Sequence, residues 1–399
     1  MKNLLLAVAL LFSLSAVAQT EQKEDAPKQE GYIFTDTKVI PGTSVKNQHR
    51  SGTCWCYSGL STLENEIIKA GGAQMDLSEM WVVRHAYFDK AVKYARLHGY
   101  LNLAVGGAFH DVTEVIKNYG IVPQEVYQGL NYGTDLPVFG EIDDVIKGYM
   151  DAVIKASNKT LTTAWMAGLN GILDSYFGVL PENFTFEGKE YTPQSFAAAL
   201  PINIDDYISI TSYTHHPFYE QCVVEVPDNW MWMPSYNLPL DEMMDLIDTA
   251  IASGYSIGWG TDVSEKGFSG SKAIGIIPED NAENFSGSDA ARWGGLTSSQ
   301  KEKELYSFSG PIKEKVITQE MRQIAFDNYE STDDHGMVIE GTALDQEGNP
   351  FYRVKNSWDV REPYDGYYYF SRPFVAYKTI SIMVNKNALS KSTKKALGL

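Results

Sequence analysis

The chain has 399 residues, 44% of them apolar and 21% charged, which suits a large globular core and excludes a mainly disordered, collagen-like or multi-span membrane protein. Asp and Glu total 51 against 33 Lys and Arg, a formal charge of −18. A surface this acidic repels phosphate backbones and anionic headgroups, which argues against nucleic-acid partners and stable membrane insertion.

Residues 1–18 read as an export signal. Lys2 is followed by the apolar run Leu4–Leu14 and by the small residues of Ala16-Val17-Ala18. The run is too short to span a bilayer, which takes about 20 residues. The expected location is therefore periplasmic or extracellular, after cleavage near Ala18. A polar stretch, 19–35, comes next as a flexible lead.

Leu60, Leu63, Ile67 and Ile68 recur at helical spacing over 58–70, and Gly71-Gly72 ends that helix. Asp76-Leu77-Ser78-Glu79 caps a second helix, and Val112–Asn118 predicts a third. Helical patterning resumes from Gly140 to about Leu180 and again over Leu240–Ser253. Tyr255–Gly260, Tyr352–Asn356, Asp365–Phe370 and Lys378–Val384 read as strands. Helices early and strands late predict an α+β chain with a helical lobe and a β lobe.

Three segments carry chemistry. The first is Gln48-His-Arg-Ser-Gly-Thr-Cys54-Trp55-Cys56. Cys54 falls where a loop ends and a helix begins, so free N–H groups and the helix dipole favour a thiolate there. Gln48, six residues earlier, can donate beside the Cys54 N–H to a developing oxyanion. The second is Asp333-Asp334-His335-Gly336-Met337, in which an imidazole enters a strand. The third is Asn356-Ser357-Trp358. The Asn356 oxygen can orient the imidazole and Trp358 can shield that bond. The three cysteines, Cys54, Cys56 and Cys222, are an odd number, so at least one is unpaired.

Gln-x5-Cys-Trp, Asp-His-Gly-Met and Asn-Ser-Trp, in this order, resemble the papain-like cysteine peptidases. The interval from Cys54 to His335 is about twice the usual 130–150 residues, a layout similar to the bleomycin hydrolase/aminopeptidase C branch. Asn183-Phe-Thr-Phe, Tyr191-Thr-Pro-Gln-Ser-Phe and Asp205-Asp-Tyr-Ile resemble that branch's inserted segment, and His216-Pro-Phe-Tyr resembles it further along. The likeness runs from about residue 36 to 390. It implies a papain-like two-lobed fold, a helical lobe plus a β-barrel-like lobe, with a large insertion.

It also implies a division of the chain. An N-terminal strand and helical lobe occupy 36–128, the insertion 129–205 and the β lobe 206–390. The tail, 391–399, would enter the cleft. By resemblance Cys54 is the nucleophile, His335 the acid/base, Asn356 the orienting group and Gln48 the oxyanion donor. Gly106 and Gly107 bind substrate, while Trp55 and Trp358 support the site. The branch releases single residues from peptide N-termini and forms caged hexamers, which implies peptide substrates and a homo-oligomer. No cofactor or metal is called for. Asp359 stands where a Gly often comes after Asn-Ser-Trp.

Other readings remain. The chain could be a papain-like endopeptidase, or a catalytically silent peptide-binding protein on the same fold. Gly254-Tyr-Ser256-Ile-Gly258 matches a serine-hydrolase elbow, but its helix precedes and its strand comes after, the reverse of what an elbow needs. Cys56 and Cys222 read as core. Adjacent His215 and His216 would point to opposite faces of a strand, without a completed metal set. His110, near Gly106-Gly107, is close to the cleft in sequence.

Overall fold

A computed structural model describes residues 31–399 apart from 158–159, 285 and 288–292. The export signal and most of the polar lead lie outside the described residues. The chain opens with strand β1 (Thr35–Val39) and three helices, α1 (Cys54–Lys69), α2 (Glu79–Arg96) and α3 (Phe109–Tyr119). α4 (Gly140–Ile154), α5 (Ala164–Phe177), the hairpin β2–β3 (Phe184–Phe186, Lys189–Tyr191) and α6 (Pro193–Ala199) fill the inserted region. Next come β4 (Tyr207–Thr211), β5 (Gln221–Val223), β6 (Pro234–Asn237), α7 (Leu240–Ala252), β7 (Ile257–Thr261), β8 (Phe268–Ser269) and β9 (Ile274–Gly275). α8 (Ser298–Leu305) and α9 (Gln319–Asp327) lead to β10 (His335–Leu344), β11 (Pro350–Lys355) and β12 (Tyr367–Ser371). α10 (Arg372–Lys378), β13 (Thr379–Asn385) and α11 (Lys391–Leu397) close the chain.

Predicted and observed elements agree in type and differ at their ends. α1 begins at Cys54 rather than at 58, because its first turn is also buried. Ser78 caps α2, its side chain accepting from the Trp81 N–H, as the Ser78-x-x pattern requires. The lead ends earlier than expected: Tyr32 and Phe34 pack on Phe351 and Tyr369, so 31–35 is part of the fold.

The inserted helices build no separate core. Phe139, Ile142, Leu169, Leu173 and Phe177 share one buried cluster with Leu60 and Leu63 of α1 and Val82 of α2. A second cluster joins α7 and α10 to one face of the large sheet through Ile247, Trp259, Met337, Ile339 and Phe374. The sheet runs β5-β6-β4-β13-β7-β10-β11-β12-β9-β8, with β1 added on β10. It is open among the described residues rather than closed into a barrel: the path ends at β5 and β8. The N-terminal strand β1 joins the β lobe rather than the helical one, pairing Thr35 with Leu344 and Val39 with Gly341 of β10.

β10 lies where the lobes meet. Met337 and Ile339 turn into the β-lobe core, while Gly336 and Glu340 face α1, as strand alternation dictates. There Glu340 accepts a hydrogen bond from Asn65 of α1 at 2.6 Å and an ion pair from Lys355 at 2.6 Å. A Cβ on Gly336 would lie 2.8 Å from Ser58 Oγ and 3.3 Å from the Trp55 N and Cα. Only a residue without a side chain lets this strand lie so close to the start of α1.

Candidate active site

Cys54 is the first residue of α1, so its own N–H and that of Trp55 point out of the helix start, while the Cys56 and Tyr57 N–H groups already donate to the Thr53 carbonyl. Its side chain is half-buried. Burial pushes the thiol up to about 12. The N–H groups of Gly336 and Trp55 donate to the sulfur and pull the other way, while Asp333 and Asp228 reinforce the rise. A lone thiolate is thus disfavoured, contrary to what the helix terminus alone predicts.

His335 opens β10, and Asn356 comes directly after β11. The two strands pair antiparallel, Val338 opposite Lys355, which brings the start of one beside the end of the other. The Asn356 Oδ1 lies 2.8 Å from His335 Nε2 and also accepts from the Ser357 N–H at 2.8 Å. An oxygen facing Nε2 fixes the ring proton on that nitrogen and leaves Nδ1 as the basic atom. Trp358 stacks on the imidazole, centroids 4.6 Å apart at 26°. Burial lowers the imidazole's pKa, and Asn356 and Asp334 oppose that shift.

Thiol and imidazole therefore each resist charge when considered singly. A proton passed from Cys54 to His335 creates both charges side by side in one low-dielectric cleft, where their attraction offsets the two desolvation costs. The geometry favours an ion pair that forms and collapses as a unit.

Gln48 is locked from both ends. Its N–H donates to the Ser357 carbonyl at 2.8 Å, and the Ser357 hydroxyl donates to its Oε1 at 2.6 Å. With the oxygen occupied, the Nε2 donor is left for the cleft that Gln48 lines together with Cys54. Asp359 takes the left-handed φ of 75°, which accounts for a Gly being common there. Its carboxylate accepts from the Val360 N–H at 2.8 Å and from Asn47 at 3.1 Å, so this loop tolerates the substitution.

The cleft has a cavity of about 460 Å³. One wall is the 104–108 edge. Trp55 Nε1 donates to the Val105 carbonyl at 3.1 Å, and buried Lys90 donates to the Ala104 carbonyl at 2.8 Å and to that of Gly106. Asp111 accepts from Trp230 Nε1 at 2.6 Å and from the Ala108 N–H at 3.3 Å. A Cβ on Gly106 would run into the Asp228 carboxylate. The edge is thus held from behind, with Gly106 and Gly107 lining the cavity.

All the predicted site residues converge here: Gln48, Cys54, Trp55, Gly106, Gly107, His335 and Trp358 line the cavity, and Asn356 lies behind the imidazole. Others fall elsewhere. Cys56 is fully buried, its thiol against the Glu79 carbonyl at 3.4 Å, and Cys222 is buried in β5. His110 does not line the cavity; it is half-buried beside Asp111, and burial lowers its pKa to about 4. Ser256 is buried just before β7, with α7 ahead of it, so no elbow forms.

His215 and His216 differ from expectation. They sit in a turn rather than a strand, and both Nε2 atoms reach Glu225, at 3.1 and 3.0 Å. Gln323 donates to His215 Nδ1, which leaves the proton on Nε2 and opposes a cation there. Asp228 and Asp333, both lining the cavity, carry no sequence signal of a site role. Asp333 is visible beside His335, but nothing local connects Asp228 to residue 106. Lys90 is equally hidden, a single charge inside an ordinary helix.

The profile of the Peptidase C1-like family matches residues 271–398. Aminopeptidase C of Streptococcus thermophilus is 22% identical over 400 residues, covering 87% of this chain and 81% of the relative. Cysteine proteinase 1, mitochondrial, of Saccharomyces cerevisiae (strain JAY291) is 22% identical over 430 residues, covering 97% and 83%. The solved structure of pepw from Lactobacillus rhamnosis HN001 superposes with a TM-score of 0.69 at 19% identity, over 91% of this chain and 84% of that one, which shows the shared fold. A thiol at a helix start, facing an imidazole from a second lobe, on this fold defines the class: the chain is a cysteine-type peptidase with a papain-like architecture. Within that class it resembles the bleomycin hydrolase/aminopeptidase C branch, and the likeness extends through most of its length.

Proposed function

We propose that the protein is an aminopeptidase that releases N-terminal residues from peptides through a Cys54 thioester. In this reading the Cys54 proton passes to His335 Nδ1 and the sulfur attacks the scissile carbonyl. The Gln48 Nε2 and the Cys54 N–H hold the oxyanion. His335 returns its proton to the leaving amine as the C–N bond breaks. A water then loses a proton to His335, attacks the thioester and frees the acid and the thiol. Backbone groups of Gly106 and Gly107 pair with the substrate.

The observation that carries the reading is the cleft in which Gln48, Cys54 and His335 converge, with Asn356 fixing the ring. The relatives called aminopeptidase C supply the choice of exopeptidase. The test is product analysis by mass on a pool of short peptides with free or acetylated N-termini, comparing wild type with Cys54→Ala. Stepwise loss of single residues from free N-termini only, absent in Cys54→Ala, is expected; internal cleavage of acetylated peptides overturns it.

One observation favours the endopeptidase reading. α11 packs Leu397 into the β-lobe core beside α7, and among the described residues nothing beyond Ser381 lines the cavity. The tail therefore does not fill the cleft in the single chain. The reading extends to export after cleavage near Ala18, supported by the apolar run Leu4–Leu14, and to a homo-oligomer, a hexamer by resemblance. N-terminal sequencing of secreted material and light scattering test these two points.

A further inference from the structure

With the tail packed elsewhere, something else in the cleft must tell a free N-terminus from an internal residue. The cavity offers a chemical means. Asp228 and Asp333 line it together with Cys54 and the Gly106-Gly107 edge. They come from distant parts of the chain, one from the loop between β5 and β6, the other from the segment just ahead of His335. Neighbouring Asp334 is engaged, accepting from the Val263 N–H at 2.9 Å and from Ser264, and Asp262 accepts from the N–H groups of Thr332 and Ser264. Asp333 has no hydrogen-bond or ion-pair partner among the described residues. Asp228 receives only a long bond, 3.3 Å, from Asn102, and its carboxylate lies directly against Gly106.

We propose that Asp333, assisted by Asp228, binds the α-ammonium group of the substrate's first residue and so makes the enzyme an exopeptidase without help from the C-terminal tail.

This rests on the aminopeptidase reading and deepens it. In this reading the Gly106 edge takes the acyl side of the substrate; Asp228 lies against Gly106, and Asp333 lines the same cavity within the electrostatic reach of Asp228. A peptide carrying one residue ahead of the scissile bond presents its ammonium group there. A longer peptide presents a neutral amide there, which gains no ion pair with either carboxyl. Burial and the surrounding carboxylates push the Asp333 pKa up to about 8, so a cation relieves an unfavourable field. The specificity is for the amine rather than for the side chain beside it.

The experiment compares leucyl-aminomethylcoumarin with its N-acetyl form in wild type, Asp333→Asn, Asp228→Asn and the double variant. Stoichiometric iodoacetamide labelling of Cys54 counts the folded sites. Truncating one partner of a desolvated charge pair should lower kcat/KM for the free amine about 30-fold or more. The acetylated substrate should hold steady or improve. An unchanged ratio of the two substrates in variants that label as wild type overturns the proposal. A second measurement needs no variant: a crystal structure of wild type alkylated by leucyl chloromethyl ketone. Its ammonium should lie within about 3.2 Å of an Asp333 or Asp228 oxygen. An ammonium directed away from both overturns the proposal even where the variants fail to fold. Rejection of the free amine by wild type would instead remove the aminopeptidase reading itself.

Discussion

His335 Nε2 lies 2.8 Å from Asn356 Oδ1, and that contact decides which ring nitrogen faces the thiol. Asn356→Ala frees the ring to rotate about its side-chain bonds and to exchange tautomers. A fall in kcat of about 10²-fold is expected, the lower end of what a positioned acid/base contributes. KM should change little, because Asn356 is buried behind the imidazole. An equal fall in 1/KM would show that it shapes the binding surface instead.

The thiol's value of about 12 arises without any charge on the imidazole. Removing His335 should therefore expose it. In wild type, Cys54 alkylation by iodoacetamide should already be fast near neutral pH, through the ion pair. In His335→Ala it should slow and climb with alkali through the whole measurable range, toward about 12. Matching pH profiles for the two proteins would rule out coupling.

The Ser357 hydroxyl donates to the Gln48 side-chain oxygen Oε1 at 2.6 Å, so the two residues form one oxyanion device. Gln48→Ala should cost about 10²–10³ in kcat, the range for one oxyanion donor. Ser357→Ala removes only the positioning bond and should cost about 3- to 10-fold. In the double variant the Ser357 effect should vanish, since no amide remains to be oriented. Additive losses in steady-state kinetics would separate the two residues.

Gly336 allows β10 to lie against the first turn of α1. Gly336→Ala should push His335 away from Cys54, lowering kcat by well over tenfold while circular dichroism shows a folded protein. The thiol should also lose its Gly336 N–H donor, so its alkylation should slow at neutral pH. Wild-type kinetics in the variant would mean the strand has room to move.

Several buried carboxyls sit high. Burial pushes Glu79 and Asp111 up to about 7, despite Lys46 beside the first and Lys90 beside the second. Burial does the same to Glu314, also to about 7. A carboxyl with a higher pKa in the folded state binds more protons there than when unfolded. Its contribution to stability is thus largest at low pH and shrinks as pH rises from about 4 to about 7. Melting temperature should increase on going from pH 7.5 to pH 5.5. Calorimetry showing the opposite slope would place these groups in contact with water.

The lobes, the order of the site residues and the long helices are legible in the sequence because each rests on a local signal. The apolar run Met337-Val338-Ile339 marks a core strand, and Cys54-Trp55 stands at a visible loop-to-helix change. What is not legible depends on long-range approach. Nothing near Asp228 says that its carboxylate meets Gly106, nothing near Lys90 says that it holds two carbonyls of the cleft edge, and the convergence of His215 and His216 on Glu225 depends on a turn that a strand reading misses. The tail illustrates the same limit. Lys391–Leu397 has the composition of a solvated segment, yet Leu397 anchors it to the β-lobe core.

The pairing of β1 with β10 ties the timing of folding to the timing of synthesis. Thr35 emerges early from the ribosome, but its partner Leu344 is made only near the end, just after His335. Until then the nucleophile has no imidazole and the first strand has no neighbour to zip onto. The growing polypeptide is thus inert as a catalyst throughout its elongation, and competence arrives only when the last strands dock. A cell making this protein needs no detachable guard for that interval, because the order of translation already provides one.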